Sequence, residues 1–433
     1  MPPTSGPCPH TLQAKAETTG ASKVPFPALV IQQIEKKSLL LMPVEIIANI
    51  LIEWTMWEWF APAIARQICR RFKDITDSSP HAWSKLSIAL ASRATADDVR
   101  GWLRRAKQVS KEICIETKDI GIVTAALEGA KDATSLVYRI PMYSNVPPLQ
   151  QELVLNRPMN RLRRLRLASS NICGVFLGLS HIFGRYGSPC DATFSCLTTL
   201  HLVYVNLVNF HIMPGLFPAL RRLVLHYSVG PILDLIQVCS GSLEDLRVTL
   251  NQSHHRPSHE HDRILLPNLK ALFLNSAVGI VSCIEAPALR LIWGDFDEID
   301  RIAVPFHSVV EWASCRQNAN ITSHLMSMPQ LRYLMICKLM KPLGVFFEFL
   351  RDNPMICPYL ESIEVAESDP RLKLDTQFKE FLKARMASRA EKVPGFTVQF
   401  VERHVKVARF ARYYTDFVCL FIIIASLLVL PCF

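Results

Sequence analysis

One pattern constrains this chain more than any other: leucine at a first, fourth and sixth position, returning copy after copy. It occurs as Leu162/Leu165/Leu167, Leu197/Leu200/Leu202, Leu220/Leu223/Leu225, Leu243/Leu246/Val248 and Leu269/Leu272/Leu274. Weaker copies follow at Leu289/Ile292, Val309/Trp312, Leu331/Leu334/Ile336 and Leu360/Ile363/Val365. Successive first positions lie 35, 23, 23, 26, 20, 20, 22 and 29 residues apart. Most of these separations fall in the range of about 20 to 29 expected when each copy adds one strand to a stacked array. The larger first gap implies an insertion around residues 170–191. Fourth and sixth positions are two apart on a strand, so both face the core while the third and fifth face outward. Proline stands two residues before the first leucine at Pro218, Pro267, Pro287, Pro329 and Pro358, where it stops the preceding element. Residues 232–238 and 345–350 have the apolar spacing of helices. The expected fold is α/β: a curved solenoid with a parallel inner sheet and helices outside. Leucine-rich helices in one globular core are the alternative, but helices would not produce the Pro-x-Leu-x-x-Leu-x-Leu punctuation.

Upstream, the pattern changes period. Pro43 suits a first helical position, and Ile46, Ile47, Ile50 and Leu51 follow on one face. Pro62 opens a second helix in which Ile64, Ile68, Phe72 and Ile75 recur at helical spacing. Ser79 caps a third, with Pro80 first and Trp83 and Leu86 inward. Thr95 can cap a further helix through Val99, Trp102, Leu103 and Ala106, and a strand follows near Ile113 to Ile115. Three short helices in about fifty residues bury little, so a partner covering part of their apolar surface is expected.

The stretches Met-Pro-Val-Glu-Ile-Ile, Gln-Ile-Cys-Arg-Arg-Phe-Lys-Asp-Ile and Pro-His-Ala-Trp-Ser-Lys-Leu resemble the F-box, in its fungal form with proline before the closing tryptophan. Met42 stands where leucine usually precedes the proline, and Phe72 where tryptophan is common; both keep an apolar side chain. The resemblance implies docking onto the Skp-type adaptor of a cullin-RING ubiquitin ligase. Pro43, Ile46, Ile50, Ile68, Cys69, Phe72 and Trp83 would supply the adaptor-facing or motif-packing surface. An F-box followed by leucine-rich repeats is the arrangement of a family of substrate-recruiting subunits, so the implied partners are the adaptor, the cullin scaffold and a protein substrate. A membrane-tethered leucine-rich-repeat scaffold is the competing expectation, its helices serving only as an N-terminal cap. The expected division is an N-terminal arm at 1–37, the helical module at 38–90, the solenoid at 91–400, a basic segment at 401–416 and a hydrophobic tail at 417–433.

In this frame the outward strand positions are Arg164 and Arg166, Thr199 and His201, Arg222 and Val224, then Asp245 and Arg247. Next come Ala271 and Phe273, Leu291 and Trp293, Glu311 and Ala313, Tyr333 and Met335, and Ser362 and Glu364. The first half is largely basic and the second aromatic. Phe273, Trp293, Tyr333 and Met335, exposed on one concave surface, are the expected substrate anchors, with Arg164, Arg166, Arg222 and Arg247 steering an acidic segment. The alternative is that a C-terminal helix or the N-terminal arm covers the strip.

Chemistry is sparse. No Gly-rich phosphate loop, G-x-S-x-G elbow or H-E-x-x-H pair occurs, so no enzymatic activity, cofactor or metal is expected. His254, His255, His259 and His261 lie in a polar stretch between two strands, and a solvated loop is favoured over a zinc or copper site. The 13 cysteines are scattered without C-x-x-C pairs, favouring a reducing compartment, and no secretory signal is read at the N-terminus. The net charge of +10 is dispersed rather than blocked, which argues against nucleic acid as a partner.

From Phe417 to Phe433 the chain is uncharged, and Arg403, His404, Lys406, Arg409 and Arg412 precede it. Such a helix would span roughly 25 Å, near the lower limit for crossing a bilayer. The expectation is a tail anchor in an intracellular membrane, with the body of the chain in the cytoplasm or nucleus. A buried terminal segment and translated non-coding sequence are the alternatives.

Overall fold

The computed structural model describes residues 41–58, 60–89, 93–117, 119–140, 159–169, 177–178, 194–208, 212, 214–250, 263–275, 283–294, 306–314, 321–336, 349–350, 352–353, 355–367 and 397–402. Among the described residues the chain is a mixed α/β protein built on a 13-stranded sheet in which every strand pairs with the next strand of that sheet along the chain, always parallel. The strands are β1 (Lys85–Ile88), β2 (Lys111–Glu116), β3 (Ala133–Ile140), β4 (Arg164–Ser169), β5 (Thr199–Val203) and β6 (Arg222–His226). They continue as β7 (Asp245–Thr249), β8 (Ala271–Asn275), β9 (Leu291–Gly294), β10 (Glu311–Ser314), β11 (Tyr333–Ile336), β12 (Ser362–Glu367) and β13 (Thr397–Glu402).

The leucine frame and the register coincide. Leu165, Leu200, Leu223, Leu246, Leu272, Ile292, Trp312, Leu334 and Ile363 stand side by side across nine consecutive strands. All are buried, as are the first-position residues from Leu162 to Leu360. The prolines act through a turn. Each sits second in a β-turn closed by the first-position N–H on the carbonyl three residues back: Leu220 to Phe217, Leu269 to Leu266, Leu289 to Ala286, Leu331 to Met328 and Leu360 to Cys357, at 3.0–3.3 Å. The same turn forms without proline at Leu162 to Met159 and Leu197 to Phe194. The accepting residue is buried every time, adding a core position that the leucine spacing does not reveal.

Two further two-residue ladders, Leu177–Gly178 with Val205–Asn206 and Ile264–Leu265 with Ile284–Glu285, are also parallel, so successive crossovers follow equivalent paths. Helices in those crossovers are few among the described residues: α6 (Ile232–Val238), as its spacing predicts, and α7 (Ile321–Met326). Of the other expected crossover helix at 345–350, all but residues 349 and 350 lie outside the described residues.

The helical segment departs from expectation. α1 (Val44–Trp57) starts one residue after Pro43. The second predicted helix is two, α2 (Ala61–Ile68) and α3 (Arg70–Ser78), because Cys69 adopts an extended backbone at φ −165°. The third is a single 3₁₀ turn, Pro80–Trp83, and Leu86 lies on β1, so the expected boundary at residue 90 falls after the sheet has begun. α4 (Ala96–Ala106) carries the Thr95 cap, reinforced by the Asp98 carboxylate on the Thr95 N–H, and α5 (Ile120–Glu128) is capped by Asp119. One continuous core runs from Ile47 and Leu51 through Trp83 and the leucine rows to Val365. Among the described residues no helix is long and apolar enough to cross a membrane, and residues 403–433 lie outside them.

Candidate functional site

Two surfaces present chemistry. The first is the outer side of the helical segment. Adjacent residues on α1 fall about 100° apart, so its four apolar residues separate into two stripes. Ile47 and Leu51 are buried, with Thr55 below them bonding the carbonyls of Leu51 (2.8 Å) and Ala82 (3.3 Å). Ile46 and Ile50 stay 46% and 47% exposed. On α2 the small residues Ala61, Pro62 and Ala65 turn inward and Ile64 and Ile68 outward, the latter 55% exposed. Phe72, Ile75 and Thr76 of α3 are buried.

Of the seven residues expected at this surface, Pro43, Ile46, Ile50 and Ile68 are exposed and Cys69 is half-buried. Phe72 and Trp83 belong to the interior, a correction to any direct contact role. Trp83 is 2% exposed, donates its indole N–H to the Thr76 carbonyl at 2.8 Å, and has the Arg105 guanidinium 4.9 Å from its ring centre. Asp77 pairs with both Arg66 (2.9 Å) and Arg105 (3.3 Å), tying α3 to α2 and α4. What remains outside are the apolar side chains of Val44, Ile46, Ile50, Ile64 and Ile68, with Leu41, Met56 and Phe60 also exposed.

The second surface is the sheet face opposite the leucine rows. Its fifth-position row runs Arg166, His201, Val224, Arg247, Phe273, Trp293, Ala313, Met335, Glu364. The expected exposure of its aromatic half does not hold. Phe273, Trp293 and Met335 are 5%, 7% and 7% exposed and form a second apolar cluster with Leu291 and Ala313; only Tyr333 is partly open. The physical reason is that parallel sheets bury both faces, so strands such as Leu291–Gly294 are covered throughout rather than in alternation. These residues are not free anchors.

The basic half is built differently at each strand. Arg164 is exposed, and Arg166 and Arg222 are half-buried. Arg247 is buried: its Nε and one terminal nitrogen donate to the two Asp245 oxygens at 3.1 and 3.0 Å, and its guanidinium lies 4.3 Å from the centre of the Phe273 ring. Asp245 also faces Arg222 at 3.3 Å. Between these arginines sits His201, 5% exposed, edge-on to His226 at 5.3 Å between ring centres. Its Nε2 has no hydrogen-bond partner among the described residues, a situation that costs about 1–3 kcal/mol for a buried polar atom. Burial first, then the charges of Arg166, His226, Arg222 and Arg247, hold its pKa well below the ordinary histidine value, so the ring is neutral.

Sequence reasoning placed His201 on this face but gave it no role. The signal was there, a lone histidine inside Thr-Leu-His-Leu flanked by arginines in the neighbouring copies. Among the described residues no group of histidine, cysteine and carboxylate side chains could hold a metal, and His254, His255, His259 and His261 lie outside them. No family model matches the chain, and no curated protein matches it.

Proposed function

We propose that this chain is a substrate-recognition subunit of an SCF-type ubiquitin ligase. In this reading the segment from Pro43 to Trp83 is an F-box that grips a Skp-type adaptor, and the sheet is a leucine-rich-repeat-like solenoid that captures a protein. The observation that carries it is the sorting of isoleucines on α1 and α2. Ile47 and Leu51 complete the core, while Ile46, Ile50, Ile64 and Ile68 remain open at helical spacing, an apolar surface of the kind that marks a protein interface. One strand per leucine copy, in strict sequential order, supports the solenoid reading. The chain would contribute binding energy and geometry, with ubiquitin transfer performed by an enzyme bound elsewhere in the assembly.

One observation favours the second reading, a tethered scaffold whose helices act as an N-terminal cap: Trp83 is packed into the core that the helices share with the sheet. Co-purification of the full chain with a Skp-type adaptor separates the two. The ligase reading expects stoichiometric binding by the parent and none by an Ile50→Asp/Ile68→Asp variant that keeps its circular dichroism. A folded parent that does not bind leaves the scaffold.

A further inference from the structure

We propose that Tyr204 and Tyr227, stacked at the end of the sheet where β5 and β6 run out, form a docking ledge for an uncharged, proline-containing segment of a captured protein. The inference names a substrate class for the solenoid and rests on reading it as a recognition surface.

The two tyrosines occupy equivalent positions, each directly following its strand. Each main-chain N–H reaches the carbonyl at the end of the next strand, Tyr204 to His226 at 2.8 Å and Tyr227 to Thr249 at 2.7 Å. A third copy makes the same bond, Leu250 to Asn275 at 3.1 Å. There the alternation of Leu246 and Val248 simply continues: Leu250 is buried in the leucine core, and its φ is not positive. Tyr204 and Tyr227 stand instead at φ +52° and +51°, a left-handed conformation that bulky side chains rarely adopt. The hydrogen bonding of the repeat therefore does not require the strain. What the strain achieves is to turn both rings out of the core into which their positions on the strands would point them. Neither tyrosine belongs to that core, and both are half-exposed. Such backbone outliers concentrate where a side chain must be presented to a ligand.

Once turned out, the rings stack on one another, 4.9 Å between centres and 16° from parallel. The separation matches that of adjacent strands, so each ring fixes its neighbour and the pair presents one rigid aromatic surface. Neither hydroxyl has a hydrogen-bond partner among the described residues. Burial, and then the neighbouring Tyr227, hold the Tyr204 hydroxyl above its ordinary value, and no cation or carboxylate of the described residues contributes. A charged segment would lose hydration here without gaining a counter-charge from those residues. A proline-containing segment meets the terms better. Its rings are apolar and lie against aromatic faces, its carbonyls are free of internal hydrogen bonds and can accept from the tyrosine hydroxyls, and its backbone has little freedom left to lose.

The test is calorimetric titration of the full chain with a decaproline peptide, with a Gly-Ser peptide of equal length as the control. The expected result is saturable one-to-one binding of decaproline that weakens at least about tenfold in Tyr204→Asn/Tyr227→Asn, since asparagine tolerates the left-handed backbone while removing the rings. Tyr204→Phe/Tyr227→Phe keeps the ledge and loses the hydroxyls, and should weaken binding by about threefold or more. Circular dichroism checks that both variants are folded. Decaproline heats no larger than those of the Gly-Ser peptide overturn the proposal, as does a folded Tyr204→Asn/Tyr227→Asn variant that binds like the parent. Decaglutamate binding as tightly as decaproline does the same. Binding that appears only after Pro25→Ser/Pro27→Ser in the full chain assigns the ledge to the chain's own N-terminal stretch and overturns the assignment to a partner. Adaptor co-purification involves neither tyrosine, so failure here is distinguishable from failure of the ligase reading.

Discussion

The indole N–H of Trp102 donates to the main-chain carbonyl of Trp83 across 2.9 Å, and the two rings meet edge to face at 4.7 Å and 78°. This pair couples the end of the helical segment to α4. Because it lies inside a core shared by both regions, helices and sheet should unfold together. Trp83→Ala is expected to cost about 3–5 kcal/mol. Denaturant unfolding followed by fluorescence and by circular dichroism should give coincident transitions, and separate ones would show two independent units.

The exposed isoleucines should behave in the opposite way. Ile50→Asp and Ile68→Asp touch solvent rather than core, so each should change stability by no more than about 0.5 kcal/mol. Ile47→Asp, one residue away from Ile46 on α1 but buried, should unfold the chain. Thermal melts of the three variants check this sorting directly.

Gly230 is held at φ +112°, and a Cβ there would lie 2.7 Å from both the Leu207 carbonyl carbon and the Val208 nitrogen. Backbone atoms on the neighbouring crossover cannot swing aside as a side chain can. Gly230→Ala is therefore expected to cost about 1–3 kcal/mol, whereas Gly241→Ala, whose Cβ would meet nothing within 4 Å, should cost far less.

The Thr95 cap supplies an acid-sensitive contribution. The backbone N–H of Thr95, and then its hydroxyl, hold the Asp98 carboxyl below its ordinary value. A carboxylate with a depressed folded pKa stabilises above its unfolded pKa, and that contribution is lost as pH falls through the folded value. Thr95→Ala should cost about 1 kcal/mol at neutral pH. The difference from the parent should shrink below about pH 4, as equilibrium unfolding across that range would register.

Thiol chemistry should divide along burial. Cys196 is exposed, whereas burial pushes the Cys239 thiol up to about 12. A maleimide reagent at neutral pH should label Cys196 in the native chain and reach Cys239 only on unfolding.

Much of the sheet was legible because a strand repeats with period two and the leucines repeat with the strand. The register aligns Leu200, Leu223 and Leu246 as the spacing predicts. The first three strands carry no such spacing, and only part of β2 was foreseen. β1 reads from sequence as the end of a helix, since Trp83 and Leu86 fit a three-residue helical interval although Trp83 closes a 3₁₀ turn and Leu86 already lies on the strand. The break at Cys69 was hidden for a similar reason: Ile64, Ile68, Phe72 and Ile75 keep helical spacing straight through it. At the sheet face the residues were identified but their environment was not. Local alternation says that Phe273 and Trp293 point away from the leucines, and it cannot say whether that side meets water.

By itself, then, the sequence determined the strand order, the leucine core, the proline turns and the sheet-face basic row, because each depends on residues at most a few positions apart. Only the tertiary structure decided which isoleucine stripe of α1 is buried, that Phe273, Trp293 and Met335 are covered, and that His201 is enclosed among arginines from neighbouring strands. Those outcomes depend on what packs across from a side chain, and segments distant in sequence settle that when they close over one another.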